Sequence, residues 1–81
     1  MYVEILVVDE ESDEVLPCRL IFKGREVTEI ECDGRWRGEF ADEEMEVEIS
    51  RPGGWKRRTL PLPPFVETRY EIRLERCGES Q

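Results

Sequence analysis

The sequence predicts an all-β fold, a small seven-stranded Greek-key β-sandwich of the transthyretin-like kind. Apolar and polar residues alternate with a period of two along much of the chain, a pattern that buries one face of a strand and leaves the other in water. Short segments rich in Gly, Pro and acidic residues separate these runs at intervals of about ten residues, as in sandwiches and barrels. No stretch shows the helical period, so we expect strands throughout.

Each strand is predicted from its own run, taken in chain order. The first run, YVEILVV at 2–8, is almost continuously apolar, whereas MEVEIS at 45–50 and RYEIRLE at 69–75 alternate strictly. A sixth strand should begin at Trp55, directly after the turn segment RPGG. The other predicted runs are CRLIF, TEIEC and RWRGEF, at 18–22, 28–32 and 35–40.

Asp33-Gly34 lies between the third and fourth predicted strands. Asp-Gly is a strong signal for a type I′ hairpin turn, because both central residues of that turn need positive φ. We therefore expect these two strands to pair with each other as a hairpin.

The alternation also predicts which side chains form the core. Apolar members of one run should share a face, and a slip of one residue would exchange the two faces. The residues expected to be buried are Val3, Ile5, Val7, Cys18, Leu20, Phe22, Ile30, Trp36, Phe40, Met45, Val47, Ile49, Tyr70, Ile72 and Leu74.

Length and charge limit the classes of protein that fit. The chain has 81 residues and a formal net charge of −8, which predicts one domain over 1–81, with 76–81 as a flexible tail. A negative field repels nucleic acid and anionic membrane, and no apolar run reaches the roughly 18 residues that span a bilayer. We expect neither a nucleic-acid partner nor membrane insertion. With no signal peptide visible after Met1, a cytoplasmic or virion-associated location is expected rather than secretion.

The chain contains no histidine, and this absence argues against most enzyme chemistry. Without imidazole there is no Ser–His pair, no histidine base and no histidine-ligated metal. The run Asp42-Glu43-Glu44 is typical of a solvated surface rather than of paired catalytic carboxylates. We therefore predict a protein that is not an enzyme, with no catalytic residue, no cofactor and no metal site.

The composition also bears on stability and on the cysteines. Ten Arg against two Lys, sixteen Glu and no Asn indicate a thermophilic source, because ion-pair networks gain value with temperature. Cys18, Cys32 and Cys77 lack the spacing of a metal or redox motif. Cys18 and Cys32 are interpreted as small buried apolar side chains, and the alternative is a disulfide of the kind that heat-adapted proteins retain, which the sequence cannot place among the three cysteines. The sequence leaves both interpretations open.

Three short motifs carry a family resemblance that spans nearly the whole chain. They are Leu16-Pro17-Cys18, Asp33-Gly34-Arg35-Trp36 and Pro52-Gly53-Gly54-Trp55. Their order resembles that of the carboxypeptidase regulatory-like domain, a member of the transthyretin-like group of sandwiches, although Trp stands where Phe or Tyr is usual. The resemblance implies an accessory domain. Hydrolases of the same group depend on histidines that this chain lacks.

The segment RPGGWKRR at 51–58 has two interpretations. Its tryptophan and three consecutive cations are typical of a nucleic-acid site, but cations on alternating sides of a strand do not form one patch. We expect Trp55 to cover one end of the core. The alternative is that Trp55 faces a ligand, in a carbohydrate-binding module with Trp36, Tyr2 and Tyr70 as the other available aromatics.

The favoured functional hypothesis is a structural or protein–protein interaction module, as a small subunit of a virion, filament or other assembly. The two terminal strands are expected at sheet edges. The first strand is apolar on both faces, which indicates that both are covered. We therefore predict an assembly interface that includes Tyr2, Leu6 and Val8. The alternative is that the acidic loop 9–14 or the C-terminal segment covers them.

Overall fold

The computed structural model describes residues 1–65 and 67–77. This part of the chain contains seven strands, and it holds no helix long and apolar enough to cross a membrane. The strands are β1 (Tyr2–Asp9), β2 (Cys18–Lys23), β3 (Val27–Cys32), β4 (Arg35–Glu39), β5 (Met45–Ser50), β6 (Arg58–Leu62) and β7 (Thr68–Leu74).

The strands form two sheets, one with the order β4-β1-β7 and one with the order β3-β2-β5-β6. This arrangement confirms the predicted all-β sandwich. β1 pairs antiparallel with β4 and parallel with β7, so it is the middle strand of its sheet. The expectation that both terminal strands lie at edges is correct for β7 and wrong for β1, because hydrogen-bonded neighbours cover both sides of β1.

The core lies between the two sheets and follows the predicted alternation. Most of the predicted core residues are buried, and the exceptions, Ile30, Trp36, Phe40 and Tyr70, are partly buried and pack against the core. Leu16 and Leu62 also belong to it, although the sequence pattern did not predict them. The fully buried members with relative exposure near zero are Val3, Val7, Leu20, Phe22, Val47, Ile49, Leu62 and Leu74.

An aromatic cluster joins the two sheets at the β4 side. The ring centroid of Phe22 in β2 lies 4.7 Å from that of Trp36 and 4.8 Å from that of Phe40, within the usual range for aromatic pairs. Trp36 lies along its own strand over Gly38, where an added Cβ would come within 2.8 Å of the indole. The glycine thus leaves the space that lets this large ring turn inward.

The Asp33-Gly34 turn is a corner between the sheets, so the hairpin prediction is wrong. β3 pairs with β2 in one sheet, and β4 pairs with β1 in the other. Only Gly34 adopts positive φ, at 105°, whereas a type I′ turn needs it at both central residues. The Gly34 carbonyl accepts a hydrogen bond from the Val7 amide at 2.8 Å, which ties the corner to β1.

Side-chain hydrogen bonds close the opposite side of the sandwich, where the edge strands β6 and β7 lie. The Tyr70 hydroxyl donates to the Pro61 carbonyl at 2.7 Å, and Arg58 Nη1 donates to the Arg73 carbonyl at 3.1 Å. Pro61 within β6 is compatible with an edge strand, because proline cannot donate to a further neighbour.

The described chain continues past β7 in contact with the turn before β6. Arg76 forms a β-bridge with Trp55, and the Cys77 amide donates to the Gly54 carbonyl at 2.6 Å. These two residues, which we assigned to a flexible tail over 76–81, therefore belong to the fold. The rest of that predicted tail lies outside the described residues.

Replacing Ile72 by Ala tests the strand register. Ile72 is 2% exposed, so removing its side-chain carbons should lower the free energy of unfolding by about 2–5 kcal/mol. We expect a fall in thermal midpoint of about 10 °C or more in calorimetry. The matched control is Val27→Ala at a position that is 64% exposed, which should change stability by about 0.5 kcal/mol or less. Equal midpoints for the two variants would contradict the register.

Replacing Gly34 by Ala tests the corner. Positive φ alone costs a residue with a Cβ about 1–2 kcal/mol. A Cβ at Gly34 would also lie 2.8 Å from the Leu16 carbonyl oxygen, which adds steric strain. Gly53→Ala is the control, because Gly53 has φ of 97° and open space around a Cβ. Urea unfolding should show a distinctly larger loss for Gly34→Ala, and equal losses would argue against a crowded corner.

Candidate functional site

The outer face of the three-stranded sheet is the candidate site. Because β1 buries Val3, Ile5 and Val7, its alternate residues project away from the core, and the same alternation in β4 and β7 brings charged residues beside them. We call this surface the arginine face, which comprises Tyr2, Glu4, Leu6, Arg35, Arg37, Glu39, Arg69 and Glu71.

A shallow depression occupies the middle of the arginine face. Leu6 is half-buried there, with Arg35 opposite it on β4 and Glu71 opposite it on β7. Trp36 and Tyr70, whose side chains pack against the core, also line it. The depression therefore offers a small apolar centre bordered by charge.

Charges on the β7 side of the arginine face are mutually neutralised. The Glu4 carboxylate accepts a hydrogen bond from the Tyr2 hydroxyl at 3.2 Å and lies 3.3 Å from Arg69 Nε. Arg69 also contacts Glu67, at 3.2 Å. Because Glu4 is engaged in this way, its cross-strand neighbour Arg37 forms no ion pair within the described part of the chain.

Arg35 and Arg37 are thus the unpaired cations of the arginine face. Both are exposed on the edge strand β4, and neither has an acidic partner within ion-pair distance among residues 1–65 and 67–77. Their guanidinium groups point to the same side as Leu6, two residues apart along β4. A carboxylate brought to this surface would meet two planar donors that can bind it in a bidentate manner.

The outer face of the four-stranded sheet is different, because its charges pair internally. Lys23 Nζ lies 2.8 Å from Glu48, and Arg57 lies 3.4 Å from the same carboxylate. The bond from Lys23 lowers the pKa of Glu48 and raises the pKa of Lys23. Arg19 contacts Glu31 at 2.6 Å in the same way. Pairs of opposite charge between neighbouring segments therefore occur on this face.

The cations of RPGGWKRR do not form a patch. Arg57 pairs with Glu48 on the outer face, while Arg58 donates to a β7 carbonyl at the closed edge. Lys56 is exposed, and its amide donates to the Glu75 carbonyl at 2.9 Å. The three consecutive cations therefore have different surroundings, although Lys56 and Arg57 precede β6 rather than alternating along it.

Trp55 is a core residue rather than a ligand-facing aromatic. It is 9% exposed and belongs to the buried cluster. The guanidinium carbons of Arg51 and Arg76 lie over its ring, 5.6 and 4.4 Å from the centroid, in cation–π contact. The other aromatics of the carbohydrate alternative, Tyr2, Trp36 and Tyr70, are partly buried. Among the described residues the strongly exposed aromatic is Phe65, at 79%.

The three predicted interface residues separate into two groups. Tyr2 and Leu6 are half-buried on the arginine face. Val8 is only 5% exposed, and a β-bridge joins it to Val15 in the segment that returns after the acidic loop. The chain itself therefore buries Val8, which is not available to a partner.

The acidic loop 9–14 is organised by its own hydrogen bonds. The Glu11 amide donates to Asp9 Oδ1 at 2.9 Å, and this bond lowers the pKa of Asp9. Arg73 forms an ion pair with Asp13. Within residues 1–65 and 67–77, no group of three acidic or thiol side chains is arranged to hold a metal ion.

No family model, no curated protein and no solved structure matches this chain. The candidate site therefore depends on its own geometry. Sequence reasoning identified Leu6 but missed Arg35 and Arg37. Their position opposite β1 follows from the pairing of β4 with β1, whereas the predicted hairpin would have placed them beside β3.

The substitutions Leu6→Arg and Val8→Arg test this division of β1. Val8→Arg places an unpaired charge in a buried position, which costs several kcal/mol, a large share of the 5–15 kcal/mol typical of a domain. Leu6→Arg keeps the new charge at the surface and should cost about 1 kcal/mol. Circular dichroism melting should show an unfolded or strongly destabilised Val8 variant and a folded Leu6 variant. If Leu6→Arg is the more damaging change, Leu6 belongs to the core.

Proposed function

We propose that the protein is a non-enzymatic interaction module that binds an acidic protein surface through its arginine face. One observation carries the proposal: among the described residues, Arg35 and Arg37 have no acidic partner and lie beside the half-buried Leu6, while the cations on the outer face of the other sheet, Arg19, Lys23 and Arg57, are paired. Unpaired arginines next to an apolar centre are the residue types that protein interfaces favour.

The net charge makes this local feature informative. In a chain with 20 acidic and 12 basic residues, cations have many intramolecular carboxylates to choose from. Among the described residues, Arg35 and Arg37 form a small cationic area without ion-pair partners on β4, beside Glu39 of the same face. Such an area attracts a partner's carboxylates and orients the encounter through charge complementarity.

A protein partner fits this surface better than nucleic acid does. Nucleic-acid binding uses many phosphate contacts, typically from a continuous basic surface. On the arginine face, Arg69 is already neutralised by Glu4 and Glu67, and Glu71 is paired with Arg73 at 3.0 Å. The remaining cations match one or two carboxylates placed beside an apolar side chain.

The proposal extends to the class of protein. The absence of histidine and the family resemblance to carboxypeptidase regulatory-like domains both support an accessory role without catalysis. We place the module in an assembly, such as a filament, a virion or another thermophile complex, where a small sandwich contributes a contact surface. The Arg-rich and Asn-free composition supports the thermophilic source.

The double variant Arg35→Glu/Arg37→Glu tests the proposal. The probe is a fluorescein-labelled peptide in which Glu and Leu alternate, measured by fluorescence anisotropy, together with light scattering of the protein alone over a concentration series. Reversing both charges should weaken peptide binding by about tenfold or more, and any self-association should fall with it. Added salt should weaken binding of the unmodified chain.

The matched control is Arg25→Glu/Lys56→Glu, which changes the net charge by the same amount at two exposed positions away from the arginine face. It should alter affinity by about twofold or less. Equal losses of peptide affinity in both variants would show that binding depends on the overall charge rather than on the arginine face. A protein that remains monomeric and binds no acidic peptide, or that binds a single-stranded oligonucleotide at the arginine face instead, contradicts the proposal.

A further inference from the structure

Cys18 and Cys32 lie directly opposite each other in the four-stranded sheet. β2 and β3 are antiparallel, and these two residues are register partners at the end of the pair. Their side chains point to the same, inner side, with the sulfur atoms 3.6 Å apart and both thiols free. No other pair of cysteines in the described chain makes such a contact.

This placement suits a covalent bond between the two sulfur atoms. Opposite residues in antiparallel strands have Cα atoms about 4.5–5.5 Å apart, inside the range of about 4.4–6.8 Å that disulfides require. The sulfur atoms need to approach by roughly 1.5 Å to reach the bonded length near 2.05 Å. Small side-chain rotations supply that movement, so the paired backbones can stay in register.

We propose that Cys18 and Cys32 form a dithiol site that a small-molecule disulfide oxidises to a cross-strand disulfide. The site lies in a surface depression separate from the arginine face. Both cysteines contribute to its wall, together with Arg51, Trp55 and the glycines of the RPGG turn. A reagent in solution can therefore approach the partly exposed Cys32 without opening of the sandwich.

Burial gives the two thiols different roles. Cys32 is partly exposed and lies on the edge strand β3, whereas Cys18 is 5% exposed on an inner strand. Burial also raises the pKa of the Cys18 thiol to about 12, with a further contribution from Cys32, so Cys18 stays protonated near neutral pH. Cys32 is thus the thiol that attacks first, because the thiolate is the nucleophile and access favours it.

The reaction is a pair of thiol–disulfide exchanges. The Cys32 thiolate attacks one sulfur of the reagent R–S–S–R, forms Cys32–S–S–R and releases R–S⁻. The Cys18 sulfur then attacks Cys32 Sγ, breaks its bond to the R–S group and releases a second R–S⁻, while the Cys18 proton passes to a released thiolate. The protein loses two electrons and two protons, and the reagent gains them as two R–SH molecules.

The bond would fasten an edge strand to its inner neighbour. It closes a loop of about 15 residues, a length for which cross-linking raises stability chiefly by restricting the unfolded chain. For a domain of this size the expected rise in thermal midpoint is about 10 °C or more. Cys77 provides an internal comparison, because it is exposed and its described contact is a backbone bond to Gly54.

The test treats the folded, reduced chain with oxidised glutathione near pH 8. Intact mass should show the loss of two hydrogens, peptide mapping should place the bond between Cys18 and Cys32, and dithiothreitol should return the thermal midpoint to its reduced value. The variant Cys77→Ser should behave in the same way. The variant Cys18→Ala should instead accumulate one glutathione on Cys32, because no thiol is left to complete the exchange.

Several outcomes would overturn the proposal. One is a chain whose Cys18 and Cys32 remain free thiols after this treatment while Cys77 alone is modified. Another is a bond that maps to Cys77, within one chain or between two. A Cys18–Cys32 bond that lowers the thermal midpoint would show that the strands must distort to form it. If Cys18→Ala does not fold, Cys77→Ser with mapping still decides the matter.

Discussion

The central position of β1 is the constraint on which the rest of the structure depends. Val3, Ile5 and Val7 project into the core, while backbone hydrogen bonds join β1 to β4 on one side and to β7 on the other. A strand with both neighbours in place can expose only its outer face. The charge of that face then depends on the residues that β4 and β7 place beside it. β4 supplies Arg35 and Arg37, which have no ion-pair partner among the described residues. Fold and candidate site are thus consequences of one pairing choice.

Local sequence pattern was sufficient for most of the strands and most of the core, although β6 begins at Arg58 rather than at the predicted Trp55. Period-two alternation depends on neighbouring residues alone, so MEVEIS and RYEIRLE identify their buried faces without knowledge of the partner strands. Strand pairing depends on residues far apart in the chain. Asp33-Gly34 shows why strand pairing is harder to predict, because the same dipeptide is compatible with a hairpin or with a corner. Here it forms a corner, and the Gly34 carbonyl accepts a hydrogen bond from the distant Val7 amide.

The candidate site was less predictable than the core for the same reason. Leu6 could be identified because an apolar residue on the second face of a strand requires a cover. Whether an arginine is paired depends on which carboxylates the fold brings near it, and Glu4 had two basic neighbours, Arg37 and Arg69. Its contact with Arg69 is a feature of side-chain geometry that no spacing in the sequence encodes. The facing cysteines, 14 positions apart, are likewise a product of register.

The parallel pairing of β1 with β7 has a mechanical consequence. The two strands lie side by side over a register that runs from Val3–Thr68 to Asp9–Leu74. A pull on the Tyr2 end of β1 and the Leu74 end of β7 acts along the strands in opposite directions, so the hydrogen bonds between them bear the load together rather than one after another. Shear of this kind resists rupture better than peeling. A chain pulled in this way would transmit tension through the hydrogen bonds between β1 and β7.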